Sequence, residues 1–101
     1  MLYKVIPLEF AVSHIEKHIE FLSRVNIQAA KRLRNSFNNE LKFLGKNPFI
    51  GIKYQSNKCD NLTFFSHFVP KYYRFVYRIL RDTVYIYDVQ DCRQNTDKSN
   101  V

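Results

Sequence analysis

The alternation of apolar and polar positions divides the chain into a short leading strand, two amphipathic helices and a strand-rich second half. Leu2-Tyr-Lys-Val-Ile-Pro7 has the composition of a strand closed by a proline, which cannot donate to a ladder. A helix is expected next, starting between Glu9 and Ser13. Ser13-His-Ile-Glu16 has the form of a capping box, in which the serine and glutamate side chains satisfy free helix-end amides. Val12, Ile15, Ile19 and Leu22 recur at steps of three and four, so an apolar stripe should run to Arg24. Asn26 breaks it. A second helix is predicted over Ile27 to Lys46, where Ala30, Leu33, Phe37, Leu41 and Leu44 keep the same period. Lys31, Arg32 and Arg34 lie off that stripe, and Gly45 and Lys46 suit a C-terminal end. Two helices joined this closely make an αα-hairpin.

The second half reads as strands. Asn47-Pro-Phe-Ile-Gly51 is a turn signal, residues 52–55 extend briefly, and 56–61 form a polar loop. Leu-Thr-Phe-Phe-Ser-His-Phe-Val over 62–69 has strand composition, ended by Pro70. Residues 73–89 form a hairpin of β-branched and aromatic strands with a tight polar turn at Arg81-Asp82-Thr83. The expected order is β-α-α-β-β-β, an antiparallel sheet packed on the helical hairpin, and so an α+β fold. Side chains alternate along a strand. Phe75, Tyr77 and Ile79 therefore share the core face, while Arg74, Val76 and Arg78 share the other. Two helices cover only one side of a sheet, so that arginine-bearing face should be open.

Composition and charge narrow the function. One domain spanning 1–101 is expected, with a frayed tail over 94–101. Nine Phe, seven Tyr and no Trp point to a Phe/Tyr core, and only two Gly and three Pro leave regular elements dominant. The formal charge of +7 favours an acidic partner: nucleic acid, an anionic protein or a membrane surface. No apolar run approaches the roughly 18 residues that span a bilayer. Lys4, Pro7 and Glu9 interrupt the N-terminus, which argues against a secretory signal. Two cysteines, Cys59 and Cys92, are expected as reduced thiols in a cytoplasmic protein.

Several local strings, in order, resemble the RelE/ParE toxin superfamily across residues 3–94. They are Tyr3-Lys4-Val5, Ala29-Ala30-Lys31-Arg32-Leu33, the Asn47-Pro48 to Gly51 turn, Tyr73-Arg74-Phe75-Val76-Tyr77-Arg78-Ile79 and Val84-Tyr-Ile-Tyr-Asp-Val-Gln-Asp-Cys-Arg93-Gln94. The resemblance implies a small basic toxin of a type II toxin–antitoxin pair, neutralised by an acidic antitoxin that folds as it binds. RelE-like members cut mRNA in the ribosome without metal. ParE-like members poison DNA gyrase and are not nucleases. Arg74 matches a RelE arginine at the start of the third strand, and Arg93 matches one beyond the last strand. The preceding strand lacks the RelE lysines, the tail lacks the RelE tyrosine, and the helical half looks more like ParE. The leading expectation is a metal-independent mRNA endoribonuclease, with a gyrase inhibitor as the alternative. No cofactor, metal or membrane partner is expected.

Metal-free RNA cleavage needs the 2′-OH deprotonated, the phosphorane charge stabilised and the leaving oxygen protonated. Arg74 and Arg93 are the expected clamp, since a guanidinium forks onto two phosphate oxygens. His67 is the expected acid or base, because an unperturbed pKa of about 6.5 suits both roles. Lys71 adds field, Arg78 extends the nucleic-acid contact, and Tyr73 or Tyr87 stacks a base. Asp88 and Asp91 read either as partners that orient arginines or as surface charges. His14 and His18 stand four apart on a helix, but with no third ligand they read as surface or flanking histidines rather than a metal site. Cys92 beside Arg93 reads as inert rather than as an activated thiol. Lys31, Arg32 and Arg34 read as a solvated helix face.

Overall fold

A computed structural model describes residues 2–55, 62–69 and 72–93. Lys71, Cys59, the loop 56–61, Pro70 and the tail 94–101 lie outside the described residues. The order is β1 Lys4–Pro7, α1 Glu9–Ser23, α2 Ile27–Lys46, β2 Ile52–Tyr54, β3 Phe64–Val69, β4 Tyr73–Leu80 and β5 Thr83–Asp91. The fold is α+β, two helices on a five-stranded sheet of order β1-β5-β4-β3-β2.

The sheet departs from expectation in two respects. It is mixed rather than antiparallel, and it has a strand more, since 52–54 pair as β2. The pairs β2–β3, β3–β4 and β4–β5 are antiparallel, but β1 lies parallel to β5, from Lys4 opposite Thr83 to Pro7 opposite Ile86. The helical hairpin carries the chain from one edge strand to the other, so the first strand closes beside the last. A strand's period fixes its faces but not its neighbour.

α1 starts at Glu9, the first residue of the expected range, but not by the expected capping box. Leu8 N–H donates to the Ile86 carbonyl at 2.9 Å, so the chain is held by the sheet until that residue and turns helical at Glu9. Ser13 is therefore inside the helix and caps nothing; the N-cap Leu8 offers no side-chain acceptor. The buried stripe runs through Ala11, Ile15, Ile19 and Leu22, and Val12 is exposed. α2 matches the expected bounds. The Asn26 side chain accepts from Ala29 N–H at 3.0 Å, an N-cap that the sequence reading did not assign. Its stripe of Ala30, Leu33, Phe37, Leu41 and Leu44 packs into one core with Phe75, Tyr77, Val84, Ile86 and Val89.

The expected open sheet face is only partly open. Val76 is fully buried there among Tyr54, Phe64, Leu62 and Tyr87, a second small apolar cluster. β2 supplies Tyr54 to it, which the alternation within β4 could not reveal. At the end of the hairpin, Leu80 pairs with Thr83 across a two-residue turn, and Arg81 takes φ 57°. A register shift between Val76 and Tyr77 leaves one extra residue in β5, since Val76 faces Asp88 while Tyr77 faces Ile86. Such a bulge re-aims side chains. Just past it, Asp88 stands opposite Val76 in register and yet its carboxylate reaches His14 of α1, while Val89, opposite Phe75, joins the main core.

Candidate functional site

The residues expected to form one catalytic group occupy three settings. Arg74 is on the outer face of the sheet, away from the helices. Its Nε donates to Gln90 Oε1 at 2.6 Å, and its guanidinium lies 4.9 Å over the Tyr54 ring. Gln90 Nε2 in turn donates to the Tyr54 hydroxyl at 3.0 Å. Two residues on along the same face is Val76, and then Arg78, whose Nη1 donates to the Tyr87 hydroxyl at 3.2 Å and whose guanidinium lies 5.9 Å over that ring. Phe68 stands exposed opposite Arg74. Guanidiniums held over aromatic rings lose little freedom on meeting a phosphate, and rings beside them can take a base.

His67 is on the other face. It pairs across β3 and β4 with Phe75, a core residue, so its ring points to α2. There Nδ1 meets the carboxylate of Glu40, and the ring stacks on Phe43 at 5.4 Å. Burial pushes the Glu40 carboxyl above its ordinary range, against the lowering effect of His67. His67 thus ties α2 to β3 and does not stand beside Arg74.

Arg93 follows β5 and faces the helix side. It grips Asp91 through Nε at 3.0 Å and Nη2 at 2.8 Å, with its own backbone N–H on the same carboxylate at 2.9 Å. Its guanidinium lies 4.2 Å over the Tyr72 ring. These hydrogen bonds hold the Asp91 carboxyl below its ordinary range. Of the two readings of Asp91, arginine-orienting partner is the one realised; Asp88 instead orients a histidine. Tyr73 is not a free stacking platform. Its ring is packed edge-on between His18 at 5.1 Å and Phe37 at 5.3 Å, because its alternation partner in the core is Phe75. The neighbouring Tyr72 is the more exposed ring.

The structure assembles a cluster at the end of β5 that residue spacing alone did not assign. A cleft of about 380 Å³ is lined by His14, Lys17, His18, Tyr73, Asp91 and Arg93, with Phe21 at its rim. A second cleft of about 480 Å³, between α1, α2 and Tyr72, shares Tyr73 and Arg93 with it. His14 Nδ1 donates to Asp88 Oδ1 at 2.7 Å, and Asp88 also accepts from Val89 N–H at 2.8 Å. His18 Nε2 donates to the Val89 carbonyl at 3.3 Å. Carboxylates and carbonyls only accept here, so each partner fixes the tautomer of its ring. Burial holds the His18 imidazole below its ordinary range, helped by repulsion from His14 and opposed by Val89, Asp91 and Asp88. The one signal for this cluster in the sequence was the i, i+4 spacing of His14 and His18 around Lys17. The packing of α1 against the bulged end of β5 lay beyond it.

Among the described residues no group of three or more His, Cys, Asp or Glu side chains is arranged to hold a metal. Cys92 is exposed as a residue, but partial desolvation at its sulfur outweighs the nearby Arg74 and pushes the thiol pKa up, which disfavours a reactive thiolate. In the basic patch of α2, Arg34 bridges to Glu16 of α1 with two contacts of 3.0 Å, while Lys31 and Arg32 are exposed. No described helix is long and apolar enough to cross a membrane. Searched against models of known protein families and against curated proteins, the chain matches none.

Proposed function

We propose that this chain is the toxin of a type II toxin–antitoxin pair of the RelE/ParE kind and that it acts on RNA without a metal. The observation that carries the reading is the outer sheet face, where Arg74 and Arg78 are each poised on a tyrosine along one strand. The helical hairpin packs on the opposite face, and among the described residues this face is only partly covered. The charge of +7 suits a polyanion there, and equally an acidic antitoxin that covers it. On this reading Arg74 and Arg78 hold phosphates and Tyr87 offers a ring to a base, while Arg93 stands at the end of β5 with its guanidinium set by Asp91. The strings shared with the superfamily and the strand–helix–helix–strand order support the same assignment.

The test is induction of the chain in cells, with mRNA ends mapped and a purified partner from the neighbouring reading frame added back. Growth arrest with new mRNA ends, relieved by an acidic partner, is expected. Arrest without new ends sinks the RNA reading.

A second reading, a gyrase poison without chemistry, is favoured by the position of His67. It is held by Glu40 on the helix side, so the imidazole expected to act beside Arg74 is not on that face. Inhibition of supercoiling by the purified chain, with mRNA intact, is the outcome that this reading requires.

A further inference from the structure

We propose that His14 and His18 are an acid–base pair for RNA phosphodiester cleavage, acting in the cleft between α1 and the end of β5. The proposal rests on the RNA-directed reading and names the groups that do its chemistry, in place of His67.

The two rings lie 6.1 Å apart, one turn of α1 from each other, close enough for one phosphate to meet both. Their tautomers are complementary. His18 donates its Nε2–H to the Val89 carbonyl, so Nδ1 keeps a lone pair. His14 donates its Nδ1–H to Asp88, so Nε2 is the nitrogen left for a substrate, and when protonated the ring forms an ion pair with Asp88. Asp88 is a positioning residue here. It is itself fully buried, held by Val89 N–H, and lies directly after the extra residue of β5. Burial of His18 favours the neutral ring that a base requires.

The remaining lining supplies positive charge. Lys17 lies between the two histidines in sequence, and no ion pair holds it among the described residues. Arg93 faces the same cleft, oriented by Asp91 and Tyr72. The cleft also lies at the same end of the sheet as the outer grip. Tyr73 pairs with Asp91 on the cleft side, and Arg74 pairs with Gln90 one residue on, on the outer side. Arg74 and the cleft are therefore separated by one step along β4.

The step balances without a co-reactant. His18 Nδ1 takes the 2′-OH proton as O2′ bonds to phosphorus. Lys17 and Arg93 face the charge on the non-bridging oxygens. The bond from phosphorus to O5′ breaks as His14 Nε2 gives its proton to O5′. The products are a 2′,3′-cyclic phosphate and a 5′-hydroxyl.

The experiment uses the full chain, a defined mRNA both free and under translation in a reconstituted system, and an all-deoxy copy of the message. The variants are His14→Gln and His18→Gln, whose amides can still donate to Asp88 and Val89, with Arg24→Ala as control. The expected result is cleavage of RNA but not of the deoxy copy, leaving cyclic phosphate ends. Each glutamine variant should be roughly a hundredfold slower or more, with its melting temperature near that of the parent and the control unchanged. Glutamine variants that cut at the parental rate overturn the proposal and leave the RNA reading standing. A parent chain that cuts no RNA in either format overturns both.

Discussion

The backbone of Gly51 and the phenol of Tyr77 meet inside the molecule: Gly51 N–H donates to the Tyr77 hydroxyl at 3.0 Å, and the hydroxyl donates on to the Pro48 carbonyl at 2.9 Å. One fully buried side chain thus fastens the 47–51 turn, and with it the entry to β2, to the middle of β4. A β-carbon at 51 would overlap the Tyr77 hydroxyl and come within 2.8 Å of the Ser66 carbonyl. Tyr77→Phe leaves a buried N–H and C=O without their partner, a loss of about 1–3 kcal/mol. Gly51→Ala forces the turn off the sheet and should cost about as much again, in the range seen for overpacking, roughly 1–3 kcal/mol. Urea unfolding of both variants measures this, and a midpoint for Gly51→Ala equal to that of the parent refutes the steric argument.

Arg81 holds φ 57° in the hairpin turn, a left-handed conformation that a side chain makes costly. Arg81→Asn or Arg81→Gly should raise stability by up to about 1 kcal/mol. Arg81→Val, β-branched at the same angle, should lower it. Thermal melts of the three variants order them Asn and Gly above parent above Val; any other placing of Val contradicts the turn geometry.

Acid should weaken the docking of α1. The His18 pKa is lowered by burial, so the folded chain binds fewer protons at that ring than the unfolded one. Its contribution is full above the unfolded value of about 6.5 and falls away as pH drops from there through the lower folded value. Repulsion from His14 acts in the same direction, while the Val89 carbonyl, Asp91 and Asp88 oppose it. Stability of the parent should decline between pH 7 and pH 5, and His18→Gln should flatten that decline. Denaturant midpoints across the pH range decide it: an equal slope in both proteins excludes His18 as the cause.

The outer face should bind single-stranded RNA through charge. Arg74→Ala and Arg78→Ala should each lower the salt dependence of binding, reducing the slope of log affinity against log salt by about 0.7. Arg24→Ala, on an exposed i, i+4 pair with Glu20, should leave it unchanged. Titration of a fluorescent oligonucleotide at several salt concentrations measures the slopes, and equal slopes in all four proteins would falsify the assignment of this face.

His67 should matter to the fold rather than to RNA. His67→Ala removes the partner of the buried Glu40 carboxylate and the ring stacked on Phe43, and should destabilise by about 1–3 kcal/mol. Its effect on oligonucleotide affinity should be within error of the parent. A stable variant that has lost affinity would restore His67 to the nucleic-acid site.

Local physics made much of this protein legible in its sequence. The i, i+3, i+4 spacing from Ala30 to Leu44 determines α2 without reference to the rest, because a helix's hydrogen bonds and its apolar face are set by near neighbours. The same holds for the 73–91 hairpin, whose alternation put Phe75 and Tyr77 inward and Arg74 and Arg78 outward. Tertiary structure decided everything that depends on which element meets which. The parallel pairing of β1 with β5, the start of α1 at Glu9, the burial of Val76 under Tyr54 and the capture of His67 by Glu40 each join residues far apart in the chain. The packing of α1 decided the candidate site itself. A strand's alternation assigns neighbouring residues to opposite faces, yet Asp88, just past the extra residue in β5, reaches His14 while Val89 fills the core. Periodicity carries no information about a break in its own period.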